Sequence, residues 1–314
     1  MSIESKIKKN IKLAPFTTFK IGGPAEFFIE IKNIVDLVEA VNWAKENNKP
    51  IIILAGGSNI LINDQGIKGI VIKLSLRDLQ VEKNRVKADS GVSLARLIKV
   101  MVNNNLTGLE WAVGIPGTIG GAVRGNAGAF GSSISQFVYQ VKIYDVDNNS
   151  FKEYTKKECK FKYRDSIFKH KTNFIIIQVI LKLNKGRLSQ VNNLLNNYQQ
   201  YRLASQPQQS SAGCIFKNLE INILQKQNIK LAKKLKAQRL VRGGKIGAGW
   251  FIEQAGLKGK IIGGAKVSEK HANFIINTGQ AKAKDVIKLA NLIEQQVKDK
   301  FNISLNKEIQ LLGF

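Results

Sequence analysis

The sequence is short of cysteine and histidine, of proline, of acidic residues and of long apolar runs. Each shortage removes a class of protein. Two cysteines, Cys159 and Cys214, and two histidines, His170 and His271, cannot build a disulfide framework or a recognisable zinc site, so no metal is expected and a reducing cytoplasm fits the cysteine usage. With only five prolines and 44% hydrophobic content, the 314 residues can bury a large core and form two or three domains. The most apolar run, Phe174 to Leu183, is broken by Gln178 and Lys182 and is too short to span a bilayer. The opening stretch MSIESKIKKNIKLAPF lacks the continuous apolar segment of an export signal. Neither membrane insertion nor export is therefore expected. The acidic shortage leaves 49 Lys and Arg against 23 Asp and Glu, a net charge of +26, which keeps a basic nucleic-acid-binding protein open as a remote alternative. The lysines are spread along the chain beside abundant Asn and Ile, which speaks for compositional bias over a selected patch. The same field would help capture nucleotide phosphates.

What is present reads as alternating helix and strand. Apolar positions Val38, Val41 and Ala44 predict a helix over 33–48 that ends before Pro50. Ile51 to Leu54 predicts a strand, the small residues 55–59 a turn, and Ile60 to Ile62 and Gly69 to Leu74 further strands. Ser93 is placed to cap a helix carrying Leu94, Leu97, Ile98 and Met101. Phe137–Val146, Phe151–Tyr154 and Phe174–Leu183 predict strands without a long helix between them, so the class is α+β with helices on one face. Near the end, Val286, Leu289, Ala290, Ile293 and Val297 fall at the spacing of a core-facing helix. The Asn/Gln clusters at 192–200 and 206–209 suggest a linker or loop, and the Lys-rich stretch within 219–249, with irregular apolar spacing, a surface insertion.

Two glycine-rich turns carry the chemical signal. Ala55-Gly56-Gly57-Ser58-Asn59 follows a strand, where backbone N–H groups can approach a pyrophosphate unhindered by Cβ atoms. The second turn, Gly114-Ile115-Pro116-Gly117-Thr118-Ile119-Gly120-Gly121, is followed by Asn126-Ala127-Gly128. So many small residues let a flat ring and a diphosphate lie on the backbone, with Thr118 and Asn126 as polar contacts. Neither turn has the Rossmann spacing, so an FAD cradle is the better reading. Neither contains a histidine, so the FAD is expected to be non-covalent. Ser58, Asn59 and Arg124 are further candidate cofactor contacts.

Seven motifs then occur in order: TTFKIGGPA at 17–25, LAGGSNILI at 54–62, GIPGTIGGAVRGNAGAFG at 114–131, YRDSIFK at 163–169, SAGCIFKN at 211–218, IGGAKVSEKHANFIIN at 262–277 and LNKEIQLLG at 305–313. In this order they resemble the UDP-N-acetylenolpyruvoylglucosamine reductases, in the short subtype that lacks a tyrosine-bearing substrate loop. The resemblance implies a vanillyl-alcohol-oxidase (PCMH)-type FAD-binding fold in two subdomains, 1–76 and 77–190, with a C-terminal α+β substrate-binding domain, 191–314, that carries an insertion at about 219–249, read as surface decoration with a helical hairpin over the site as the alternative. It also implies a cytoplasmic, monomeric enzyme of peptidoglycan precursor synthesis. That enzyme uses NADPH and FAD to reduce UDP-N-acetylglucosamine enolpyruvate to UDP-N-acetylmuramate, with no nucleic acid as partner. Another FAD-linked oxidase or dehydrogenase of the same fold is the alternative.

Three catalytic roles come with the resemblance. Arg164 matches the arginine that binds the enolpyruvyl carboxylate, where a guanidinium fork stabilises growing negative charge. Its bland reading is a salt bridge with the adjacent Asp165. Glu308 matches a glutamate that hydrogen-bonds the same intermediate. Cys214 stands where better-studied members carry serine, in the position of the proton donor. A thiol, with an ordinary pKa of about 8.5, releases a proton far more readily than a hydroxyl. Tyr163, Lys217 and Asn218 are the expected substrate contacts, a lysine being suited to a diphosphate. His271 reads as part of a structural turn and is not assigned a catalytic role.

Overall fold

Asn33 starts the first long helix, Ile34–Glu46, by accepting the Asp36 backbone N–H on its side-chain oxygen at 2.8 Å. The helix ends before Pro50, as a proline requires. Its buried positions Leu37, Ala40, Val41 and Ala44 pack with Ile29, Ile31, Ile70, Ile72 and Leu74. Those partners belong to the strands Pro24–Ile31 and Ile67–Leu74, which run parallel, with Ile51–Leu54 parallel on the far side of Ile67–Leu74.

The structure is a computed structural model that describes residues 2–314, and the chain divides into two units, each assembled from separated stretches. The first runs through Ile11 and comprises Ala25–Gly57 and Ile67–Ala204; the second comprises Lys12–Pro24, Ser58–Gly66 and Ser205–Phe314. Beside its parallel sheet the first unit holds a five-stranded antiparallel sheet in the order Ser150–Thr155, Val138–Asp145, Phe174–Lys182, Arg85–Asp89, Leu79–Glu82. Tyr144, Ile175 and Ile177 of this sheet share a core with the helix Ile34–Glu46, while the opposite face buries a second cluster. There the helix Leu94–Asn103, capped by the Ser93 hydroxyl, buries Leu94, Leu97, Ile98 and Met101, the stripe read from the sequence.

The second unit is built on the strands Ser211–Cys214, Phe274–Asn277, Ala265–Val267 and Ile261–Ile262, hydrogen-bonded in that order. The helix Ala283–Phe301 covers this sheet with Val286, Leu289, Ala290, Ile293 and Val297, all buried. A short parallel pair, Ile60–Ile62 with Gln310–Leu312, completes it. The architecture is α+β.

Two expectations are corrected. The Asn/Gln-rich stretch at 192–200 is no linker but part of an 18-residue helix, Leu188–Ser205. Asn and Gln are tolerated on an exposed helix face, and this one buries only Val191 fully, with Leu195 and Tyr198 packed alongside. Only the 206–209 cluster lies in irregular chain. Residues 219–249 are likewise more than surface decoration. They form the helices Ile221–Gln227 and Ile229–Ala237, whose Leu224, Ala232 and Leu235 are fully buried in the core of the second unit. Among the described residues no helix is long and apolar enough to cross a membrane, and no group of three or more His, Cys, Asp or Glu is disposed to hold a metal ion.

Candidate active site

In the first unit the two glycine turns meet. A Cβ on Gly56 would stand 2.6 Å from the Gly117 Cα, and one on Gly121 would stand 3.5 Å from the Ala55 Cβ. The first distance is closer than any side chain permits, so the contact between the turns requires glycine. Gly117 itself has φ +124°, a backbone conformation that L side chains rarely adopt. On the other side, a Cβ on Gly120 would come within 2.7 Å of the Ser90 Cβ, and the Gly120 N–H donates to the Ser90 carbonyl at 3.0 Å. The helix Ile119–Gly125 thus starts directly over residue 90, from the Thr118 position.

This cradle contains two unsatisfied hydroxyls. Ser90 Oγ and Thr118 Oγ1 are buried without a hydrogen-bond partner. Leaving such a group unpaired costs about 1–3 kcal/mol, so native proteins seldom tolerate it without compensation from a ligand or an ion. A dinucleotide supplies the missing partners: its phosphate and ribose oxygens accept and donate at short range, and its flat ring can rest on backbone that has no side chains. The residues present therefore fit FAD, and Ser90 is a contributor that the sequence reading missed. Its only signal was its place at the end of a strand before Gly91.

Asn126, expected as a cofactor contact, also ties this turn to neighbouring segments. It adopts a left-handed conformation (φ 44°) at the end of the helix Ile119–Gly125, donates from Nδ2 to the Lys162 carbonyl at 2.7 Å, and accepts the Ser135 N–H on Oδ1. The Ser166 hydroxyl donates to the Arg124 carbonyl at 2.7 Å, and the Arg164 Nη2 to the Gly128 carbonyl at 2.7 Å. Lys162 and Asp165 exchange backbone hydrogen bonds around a tight turn with Tyr163 and Arg164 at its tip. The YRDS hairpin is therefore fastened to the second glycine turn at three points. Arg164 holds φ 53°, and its guanidinium lies 5.3 Å from the Tyr163 ring centre. Asp165 directs its carboxylate to His170 Nε2, 3.0 Å from both oxygens. Burial pushes its pKa up, yet the His170 contact holds the group below the ordinary value. Burial alone lowers the pKa of the half-buried Arg124.

The second unit brings the other candidates together. Cys214 ends the strand Ser211–Cys214, half-buried, after a register shift that includes Gly213 at φ 77°. The segment beyond it is clamped by Asn273, which is 1% exposed. The Asn273 carbonyl accepts the Ile215 N–H at 2.8 Å, its Oδ1 accepts the Phe216 N–H at 2.9 Å, and its Nδ2 donates to the Phe216 carbonyl at 2.8 Å. On the opposite edge the Glu308 N–H donates to the Ile215 carbonyl at 2.7 Å, and the Lys217 N–H to the Asn306 carbonyl at 2.8 Å. Glu308 is thus registered against the residue that follows Cys214. Asn59 joins them, donating from Nδ2 to the Glu308 carbonyl at 3.3 Å and accepting the Gln310 N–H at 3.0 Å. Lys217 is half-buried, and Asn218 accepts the Ala248 N–H at the start of the helix Ala248–Gln254. His271 accepts the Asn273 N–H on Nδ1 at 3.3 Å, and burial holds its pKa below 6.5. It shapes the turn that delivers Asn273, a residue the sequence reading quoted within its motif but gave no role.

The expected site residues thus fall into two groups. Ala55–Gly57, Gly114–Gly121, Asn126–Gly128, Tyr163 and Arg164 belong to the first unit; Ser58, Asn59, Cys214, Lys217, Asn218 and Glu308 belong to the second.

Comparison with known proteins identifies the family. Residues 25–149 match the FAD binding domain family, and residues 206–312 match the C-terminal domain family of UDP-N-acetylenolpyruvoylglucosamine reductase. The UDP-N-acetylenolpyruvoylglucosamine reductase of Anoxybacillus flavithermus is 38% identical over 98% of this chain and 94% of its own length. That of Caldanaerobacter subterraneus is 38% identical over 99% and 95%. The crystal structure of the reductase from Thermus caldophilus superposes with a TM-score of 0.78 at 28% identity, covering 98% of this chain and 99% of that one. With relatives this similar aligned along nearly its whole length, the chain belongs to the UDP-N-acetylenolpyruvoylglucosamine reductase family.

Proposed function

We propose that this protein is an FAD-containing, NADPH-dependent oxidoreductase that reduces UDP-N-acetylglucosamine enolpyruvate to UDP-N-acetylmuramate, a step of peptidoglycan precursor synthesis. The observation that supports the reading is the registration of the Glu308 backbone against Ile215, the residue that follows the half-buried Cys214. Bound FAD supplies the two-electron chemistry, accepting hydride equivalents from NADPH and passing them to the enol ether. Ala55–Gly57, Ser58, Asn59, Gly114, Pro116, Gly117, Thr118, Gly120, Gly121 and Asn126–Gly128 form its cradle, with Ser90 added.

The protein's own residues manage charge and protons. Arg164 binds the enolpyruvyl carboxylate through its guanidinium fork and stabilises negative charge spreading into it. Its hydrogen bond to the Gly128 carbonyl supports this by orienting the fork in advance. Cys214 Sγ gives its proton to the carbon next to that carboxylate, and Glu308 hydrogen-bonds the same group. Lys217 answers the diphosphate, with Tyr163 and Asn218 as the remaining substrate contacts. The functional division is 1–76 and 77–190 for the cofactor and 191–314 for the substrate, supported by the extents of the two family matches. The enzyme acts as a cytoplasmic monomer.

The test is an anaerobic half-reaction. NADPH-reduced protein is mixed with UDP-N-acetylglucosamine enolpyruvate and the flavin absorbance followed. Rapid return of the oxidised spectrum is expected, and its failure to return would reject the substrate.

A further inference from the structure

Along the sequence the positive charge is spread, but the structure gathers part of it on one helix face. No Asp or Glu occurs between Glu220 and Glu253, and this stretch holds the helices Ile221–Gln227 and Ile229–Ala237. The second helix turns Ala232 and Leu235 into the core, with Leu231 packed beside them. At 100° per residue, Lys230, Lys233 and Lys234 then lie on the opposite side, and all three are exposed. Lys236, Arg239 and Arg242 of the same stretch are exposed as well. None of these six cations takes part in an ion pair among the described residues, whereas Lys258, Lys266 and Lys307 of the same unit each meet a carboxylate at 2.6–2.7 Å. Two isoleucines of the same helices are also exposed, Ile229 at 57% and Ile223 at 39%. The two helices contain no aromatic residue, so they offer no platform on which nucleic-acid bases could stack.

We propose that this helix pair is a docking surface for an anionic lipid bilayer, holding the enzyme reversibly at the membrane face. An unpaired cation near an anionic bilayer gains from its surface potential, and clusters of four to eight such cations suffice for peripheral attachment. Exposed isoleucines add apolar contact at the headgroup boundary, which a soluble polyanion would not reward. The core-facing leucines explain why the helices stay folded while their outer face is given to charge.

The test uses the full-length FAD-loaded protein and sedimentation with vesicles of phosphatidylglycerol and phosphatidylcholine, against phosphatidylcholine alone. Binding is expected only to the anionic vesicles. The variant K230Q/K233Q/K234Q is expected to lower partitioning roughly 100-fold, from the contribution of three cations, with reductase turnover and melting temperature unchanged. The same charge removed at exposed Lys8, Lys12 and Lys157 is expected to have far less effect. Ile229→Gln, which leaves the charge alone, is expected to weaken binding several-fold. Equal loss in both triple variants would reduce the effect to net charge and overturn the proposal. So would no loss in the first triple variant, unchanged binding of Ile229→Gln, or stronger binding to RNA than to vesicles at equal ionic strength.

Discussion

At the scale of single residues the two cysteines separate cleanly. Cys159 is buried, and burial together with the nearby Glu158 carboxylate pushes its pKa to about 12, so it stays an unreactive thiol at neutral pH. Cys214 is half-buried at the end of its strand. Iodoacetamide on the native protein is therefore expected to modify Cys214 alone, read by peptide mass spectrometry, and saturating product should slow that labelling. Labelling of Cys159 at a comparable rate would contradict the burial argument. If Cys214 is the proton donor, Cys214→Ala should leave flavin reduction by NADPH within about twofold. Its oxidative half-reaction should be slower by a factor of roughly 100 to 10,000, the usual worth of a positioned acid. Cys214→Ser should lose less, and equal losses in both half-reactions would refute the assignment. The sequence carried these residues because each sits inside a motif. It did not reveal Ser90, whose role depends on a glycine 30 residues away coming within contact distance.

Among the elements, those whose apolar spacing is regular were readable: Ile34–Glu46, Leu94–Asn103 and Ala283–Phe301 appear where the pattern set them. The helix Leu188–Ser205 was not, because a helix that buries one residue leaves almost no hydrophobic period. The helices at 221–237 were hidden for a related reason, since a Gln-Asn break splits one buried stripe into two short pieces. The ladder around Cys214 was invisible too, being made by Asn273 and Glu308 from distant segments. Asn273 is expected to act as a positioning residue. Asn273→Ala leaves the Phe216 N–H and carbonyl without partners, at a cost of about 2–3 kcal/mol, visible as a lower melting temperature. Well below that temperature, the oxidative half-reaction should slow and Cys214 alkylation change rate, while NADPH-driven flavin reduction stays intact. A variant that is merely less stable, with both half-reactions unaltered, would show that the clamp does not position the thiol.

For the whole molecule, folding depends on contacts that no local pattern encodes. Thr18 Oγ1 donates to the Ser211 carbonyl at 2.7 Å and Asn277 Nδ2 to the Phe19 carbonyl at 3.0 Å, which carries the TTFKIGGPA motif into the second unit. Two groups, the buried Asp145 and the half-buried His271, contribute to stability as a function of pH. Asp145, 1% exposed, would be pushed up by burial, but Lys152 Nζ at 2.7 Å and the Asn148 amide hold it at about 2, against an ordinary 3.8. A carboxylate with a depressed folded-state pKa stabilises the fold fully above 3.8, and that contribution is lost as pH falls from there towards 2. His271 is a base whose folded-state pKa is lowered by burial, so the unfolded chain binds its proton more readily and stability begins to fall once pH drops below 6.5. Protonating carboxylates also leaves the 49 Lys and Arg less opposed, which adds self-repulsion that salt screens. Melting temperature is therefore expected to hold from pH 8 to 7, to decline gently below 6.5 and to drop steeply below 4, with 0.5 M salt recovering part of the last step. Asp145→Asn should flatten the steep limb while lowering the plateau, because Lys152 loses its charged partner. His271→Gln should remove the gentle decline and leave the steep one. A wild-type curve with no inflection near 6.5, or an acid limb unaffected by Asp145→Asn, would show that other groups set the acid stability of this protein.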